Sequence, residues 1–415
     1  MAVTTTPTTK VYPATTTALK FSSPLDDGAF THSEPAAWLA ASTQQLRTNK
    51  CVGIPTETVY GLAANALAAP AVQQIYTIKG RPSDNPLIVH ISSLRMLRAL
   101  YHLPAAPITS APPFLGTDNA ALEGERLNAQ LAQPAGVWPE IPEQYHEAIR
   151  MFWPGPLTIV MPKPECIPME VLGGHGNTVA FRFPSHPVAR AVISDCGLPL
   201  AAPSANASGR PSPTLAEHVR RDLDGKLAVV VDAGACDVGV ESTVLDAFSP
   251  NAYVDGELRP CILRPGGVTF EQLKALGGVY EKLRVYKRDF SSDEMEMHPT
   301  TPGMKYRHYS PTAPVHLFVP RHGNVHEKMQ AMVRDMDGKK VGVIAIGGFE
   351  AAQENVLVRS VKDARELAHE IFALLRALDE DDGVDAILVQ GVDEDHEGLA
   401  VMNRLGKAAS NHIVC

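Results

Sequence analysis

Lys79 and Arg81 stand on either side of Gly80 in the stretch IKGRPSDNPLIVH, and Pro82, Asp84, Asn85 and Pro86 follow before a strand-like LIVHI. Glycine and proline disfavour a regular helix there. The two cations are therefore expected on a rigid, non-helical turn at the end of a sheet strand. Fixed cations suit the neutralisation of a fixed anion such as phosphate or carboxylate.

Four polar islands, each abutting a strand-like run, add to this set. They are PTETVYG (Pro55 to Gly61), KGRPSDN, PSANASGRPSP (Pro203 to Pro213) and GVESTV (Gly239 to Val244). In open α/β sheets ligands gather where loops converge at strand ends. The same Ser, Thr, Asn, Gly and Pro clusters also build ordinary turns, so turn chemistry stays open for each island taken alone. His90 reads equally as a hydrogen-bonded core histidine. Arg182 is more telling. It sits in the apolar run VAFRFP, and an arginine there needs an anion or a dense set of acceptors. The Gly-rich GGHGNT (Gly173 to Thr178) could wrap a phosphate but is a weak signal alone.

Several common machines are absent. The chain has no G-x-x-x-x-G-K-[ST] loop, no G-x-G-x-x-G after a strand, no H-E-x-x-H and no G-x-S-x-G. Six scattered cysteines without a C-x-x-C pair read as buried thiols of a reducing compartment rather than a disulfide frame or zinc site.

The elements that must position these residues follow from periodicity. The 415 residues are 45% hydrophobic and 20% charged, ordinary globular values. No apolar run is long enough to span a bilayer. A net charge of −9 argues against broad nucleic-acid binding but leaves room for a local basic cleft. Residues 1–33, Thr-rich and without the core of a secretory signal, read as a disordered tail, with a cytoplasmic location. Residues 34–280 alternate helix and strand as one α/β domain, interrupted by a Pro-rich inserted loop over 104–142. Within it, HPVARAVISDCG reads as a helix ended by Gly197. Thr214 and Glu217 are placed for a capping box on TLAEHVRRDLDG. Residues 281–312 read as a linker. Residues 313–415 read as a small Rossmann-like, doubly wound α/β domain built on VHLFV, KVGVIAI and DAILVQG.

In this order, PTETVYGL, KGRP–DNPLIVH, WPGPLT, TVAFRFPSHP, PSAN–SGRPSPT, GVESTV and ILRPGG resemble the YrdC-like family. With PGMKYRHYSP and an α/β tail they resemble its two-domain form. The resemblance implies a twisted α/β sheet with a concave cationic cavity. It also implies a reaction joining L-threonine, bicarbonate and ATP into threonylcarbamoyl-adenylate and pyrophosphate. A downstream tRNA threonylcarbamoyl transferase complex would use the product. It assigns Lys79 and Arg81 to catalysis. Arg81, Asn85, Thr178, Ser204, Asn206, Ser212, Arg264 and Tyr309 would line ATP, with Tyr309 as a lid. Thr58, His90, Arg182 and Ser242 would hold threonine. Mg²⁺ would enter with ATP, with no protein metal cage. The alternative that the family suggests is a non-catalytic module for double-stranded RNA.

Overall fold

The computed structural model describes residues 8–16, 19, 36–104, 140–287, 289, 308–321, 323–351 and 353–415. Most of the N-terminal tail, of the insertion and of the linker lies outside them.

The apolar runs of the first domain become short strands, several buried on both faces. In chain order they are β1 (Lys10–Pro13), β2 (Val52–Ile54), β3 (Gly61–Asn65), β4 (Ile88–His90), β5 (Leu157–Pro162), β6 (Thr178–Arg182), β7 (Leu200–Ala201), β8 (Val229–Asp232) and β9 (Thr243–Asp246). A small hairpin follows, β10 (Tyr253–Val254) and β11 (Glu257–Leu258), then β12 (Cys261–Arg264) and β13 (Arg284–Val285). All but the hairpin join one mixed sheet of 11 strands, ordered β1-β8-β2-β3-β7-β4-β6-β5-β9-β12-β13. Its central strands are flanked by α1 (Ala37–Arg47), α2 (Ala69–Lys79), α3 (Leu94–Leu100), α4 (His146–Phe152), α5 (Pro187–Cys196), α6 (Ala216–Leu223) and α7 (Phe270–Lys274). Leu46, Ile54, Leu62, Ile75 and Phe181 are fully buried between the layers. Each such side chain contributes roughly 1.5–3 kcal/mol by leaving water.

The second sheet has five strands, all parallel, in the order β16-β15-β17-β14-β18. They are β14 (Val315–Val319), β15 (Val341–Ile346), β16 (Val356–Val361), β17 (Ala386–Gln390) and β18 (Asn411–Val414). One face is covered by α8 (Val325–Asp335), through Met329 and Val333. The other is covered by α9 (Ala364–Arg376) and α10 (His396–Ala408), through Leu367, Ile371 and Leu405. This is the doubly wound arrangement expected of alternating strands and helices.

The structure corrects several expectations. β1 lies inside the span read as tail and pairs in parallel with β8. β13 lies inside the span read as linker and closes the other sheet edge against β12. Four residues of isolated KVYP carry too little pattern to reveal an edge strand. The capping box at Thr214 does not form. The helix starts one residue later, with Leu215 as its uncapped N-cap, and Glu217 instead pairs with Arg220 and Arg221. The capping box forms at Thr269 and Gln272. Lys79 is not on a non-helical turn: it is the last residue of α2, and left-handed Gly80 (φ 62°) caps the helix and turns the chain toward Arg81. β16, α10 and β18 were not legible as elements from the sequence.

All six cysteines are free and buried. Among the described residues, no helix is long and apolar enough to cross a membrane.

Candidate functional site

The loops at one end of the large sheet enclose a cavity of about 610 Å³ including its open mouth. Lys79, Arg81, His90, Arg182, Ser204, Asn206, Ser242, Arg264 and Tyr309 line it, together with Glu241 and His308. Nine sequence-singled residues thus meet in one place, although up to 230 positions separate Lys79 from Tyr309. Four others do not line it. Thr58 is fully buried beside Thr56, their hydroxyls 2.9 Å apart. The Asn85 carbonyl accepts from Arg81 Nε at 3.4 Å. Thr178 is half-buried at the start of β6. Ser212 donates to Glu241 Oε1 at 2.6 Å.

The S-x-N loop is held by backbone pairing and by a cation. Leu62 N–H donates to the Pro203 carbonyl and Ala205 N–H to the Tyr60 carbonyl, both at 2.8 Å. Lys79 Nζ reaches across from the end of α2 and donates to the carbonyls of Ser204 and Asn206, the latter at 2.5 Å. Burial lowers the Lys79 pKa well below its usual value, and neighbouring Arg81 adds to the shift. Arg81 Nη2 donates to the Pro86 carbonyl at 3.1 Å. Burial, reinforced by Arg264, brings Arg81 down to about 10.

Arg264 ends β12 and donates to the Ser242 carbonyl at 2.8 Å and to its hydroxyl at 3.2 Å. Ser242 Oγ lies 2.7 Å from Thr158 Oγ1, which fixes it against β5. Arg182 pairs in register with His90 across β6 and β4. Its Nη2 lies 2.8 Å from Glu57 Oε1. Burial pushes His90 down to about 3, with Arg182 helping. His90 is therefore a neutral ring, its Nδ1 3.2 Å from the Ile88 carbonyl.

The linker residues His308 and Tyr309 supply part of the wall, and the second domain backs them. Tyr309 has a left-handed backbone (φ 66°), uncommon for a bulky residue. Its ring is packed between Phe372 of α9, with centroids 5.1 Å apart, and the Arg404 guanidinium, 5.6 Å from the ring centre. Arg404, on α10, is fully buried and donates to Glu241 Oε2 at 2.8 Å. Burial alone would raise the Glu241 carboxyl, but Arg404 and Arg264 outweigh it and hold it at about 2. Arg376 of α9 donates to both oxygens of Asp222, and Asp222 accepts from Ala207 N–H within the 203–213 loop. Gly239 approaches α9 so closely that a Cβ would lie 2.0 Å from the His369 carbonyl, and its φ is 79°. Any other residue there would push the domains apart.

Sequence reasoning missed Glu57, Glu241, His308 and Arg404. Both glutamates lay inside islands already singled out, but nothing local says that a carboxylate faces a distant arginine. Arg404 sits on an element that was not read at all.

Chemically, the cavity has four first-domain cations, hydroxyls and an amide as donors, and one lining carboxylate, Glu241, already engaged by Arg404. Within its lining, no nucleophile is paired with a base. An α/β domain with a cationic cavity at its strand ends, closed by linker residues that a second α/β domain backs, defines a binder of anionic small molecules that works by positioning and charge.

Comparison with known proteins sharpens the class. A family model described as telomere recombination matches residues 44–114 and 127–266. One described as threonylcarbamoyl-AMP synthase, C-terminal domain, matches 268–410. The unmatched stretch between the first two blocks falls inside the insertion. The threonylcarbamoyl-AMP synthase of Schizosaccharomyces pombe is 42% identical over 97% of this chain and 98% of that protein. The enzyme of Pyrococcus abyssi is 40% identical over 89% of this chain and 93% of its own. The crystal structure of P. abyssi Sua5 complexed with L-threonine matches with a TM-score of 0.72 at 38% identity, covering 92% of this chain and 98% of that one. The chain belongs to the threonylcarbamoyl-AMP synthase family.

Proposed function

We propose that this protein condenses L-threonine, bicarbonate and ATP into threonylcarbamoyl-adenylate and pyrophosphate, the first step of tRNA threonylcarbamoyladenosine modification. The observation that carries the reading is the convergence of Lys79, Arg81, Arg182 and Arg264 on one buried cavity beside Ser204 and Asn206. The relatives' name and the threonine-bound neighbour support it.

The threonine amine adds to bicarbonate and water leaves, giving a carbamate. A carbamate oxygen attacks the α-phosphorus of ATP and pyrophosphate departs. No protein nucleophile enters this sequence. Arg81 and Arg264 neutralise the phosphate oxygens as charge develops. Lys79 holds the Ser204–Asn206 loop in place against the nucleotide and adds its charge. His90, Arg182 and Ser242 hold threonine, with Arg182 on its carboxylate and Thr58 behind the lining. Asn85, Thr178 and Ser212 stand behind the lining on the nucleotide side, and Tyr309 covers it.

Mg²⁺ arrives bound to ATP. Glu241 and Glu57 are already occupied by arginines, and the described residues contain no group of three or more metal-ligating side chains. Residues of this chain would meet the ion through the phosphates, and it would supply further charge neutralisation there. The product passes to a downstream tRNA-modifying transferase complex, and the enzyme works in the cytoplasm.

The test is pyrophosphate release by the purified full chain with Mg²⁺. Release that needs threonine and bicarbonate together supports the reaction. Tight binding of double-stranded RNA with no pyrophosphate release would replace it with the binding-module reading.

A further inference from the structure

One side chain of the second domain governs the charge of the first domain's cavity. Arg404 projects from α10, makes no contact with solvent, and donates in two directions, to Glu241 Oε2 and to the Pro265 carbonyl, each at 2.8 Å. Glu241 is a cavity-lining carboxylate whose other oxygen accepts from Ser212. A buried carboxylate must keep a cation beside it. If Arg404 withdraws, the neighbouring first-domain cation is Arg264, which itself lines the cavity.

We propose that Arg404 is a positioning residue for the nucleotide: by neutralising Glu241 from the second domain, it leaves Arg264 available to the phosphates and keeps a negative charge from facing them. The ligand's identity rests on the reading above. In this arrangement docking of the second domain controls anion binding electrostatically. The first domain alone presents a carboxylate that takes up one of its own phosphate-binding arginines. Threonine binding, centred on Arg182 and His90 at the β4–β6 register, is not touched by the exchange.

The experiment measures equilibrium binding of Mg·ATP and, separately, of threonine to the full chain, alongside pyrophosphate release. Arg404→Gln is expected to weaken Mg·ATP binding about tenfold or more, with threonine affinity changed less than about twofold. Removing both charges, in Arg404→Gln with Glu241→Gln, restores Mg·ATP affinity to within about threefold of wild type. Arg404→Lys, which keeps the charge, stays in the same range. A role in domain docking alone would instead weaken both ligands in the single variant and give no recovery in the double. That pattern, or unchanged Mg·ATP affinity in Arg404→Gln, overturns the proposal. If Arg404→Gln does not fold, the other two variants decide: a tenfold loss in either one overturns it. A wild-type chain that binds no Mg·ATP overturns the nucleotide reading itself, a separate outcome.

Discussion

Glu57, outside the cavity lining, meets Arg182, which is part of that lining, at 2.8 Å; both are almost fully buried, yet no aligned hydrogen bond joins them. Both Glu57 oxygens, and Nε and Nη2 of Arg182, find no hydrogen-bond partner among the described residues. The pair is held by charge, and Arg182, on the cavity side, keeps donors that a third group can take. The carboxylate of an amino acid is a complement for that arginine.

Breaking this pair should therefore act twice. Arg182→Gln leaves Glu57 buried and unpaired, and is expected to cost about 3 kcal/mol of stability and to raise the KM for threonine at least about tenfold. Adding Glu57→Gln is expected to recover most of the stability but none of the threonine KM. Thermal unfolding with steady-state kinetics checks both. Recovery of the two together would make Arg182 a purely structural residue.

Arg81 lines the cavity with the other cations, and among the described residues its guanidinium donates to the Asn85 and Pro86 carbonyls of its own loop. Arg81→Ala is expected to slow pyrophosphate release by about 10²-fold or more, on the scale of a lost charge-stabilising donor. Activity near wild type would move Arg81 out of the chemistry.

Tyr309 lines the first domain's cavity and packs on Phe372 and Arg404 of the second domain. Tyr309→Ala is expected to raise the KM for ATP, while Tyr309→Phe, which keeps the ring, remains close to wild type. A KM for ATP that Tyr309→Ala leaves unaltered argues against a covering role.

Acid should unfold the protein early. Burial lowers His90 and His308 to about 3 and His218 to about 4, against an ordinary value of 6.5. Between those limits the unfolded chain binds more protons than the folded one, so stability falls as pH drops below 6.5. Each group contributes a loss of roughly 1.4 kcal/mol per pH unit within its window. Urea unfolding at pH 7, 6 and 5 measures it, and a flat midpoint would contradict neutral buried rings.

The sequence by itself determined the two-domain α/β plan and most of the strands and helices, and its motifs, through their family resemblance, singled out nine residues of the cavity lining. Those features are local. Period-two and period-3.6 apolar runs dictate element type, and Gly197 ends α5 because only glycine readily takes a left-handed turn. Ordered polar islands next to strands mark where loops must converge. The edge strands β1 and β13 were invisible because an edge is defined by its partner rather than by its own four or two residues. The same reason hid the counter-ions. Glu57, Glu241 and Arg404 acquire their meaning from a charge brought near by folding, 125 residues away for Glu57 with Arg182 and 163 for Glu241 with Arg404. Chain topology and domain docking alone decided that the cavity's electrostatics would be completed by an arginine from the other domain, because in a low-dielectric interior the energy of a charge depends on its spatial neighbours and not on its sequence neighbours.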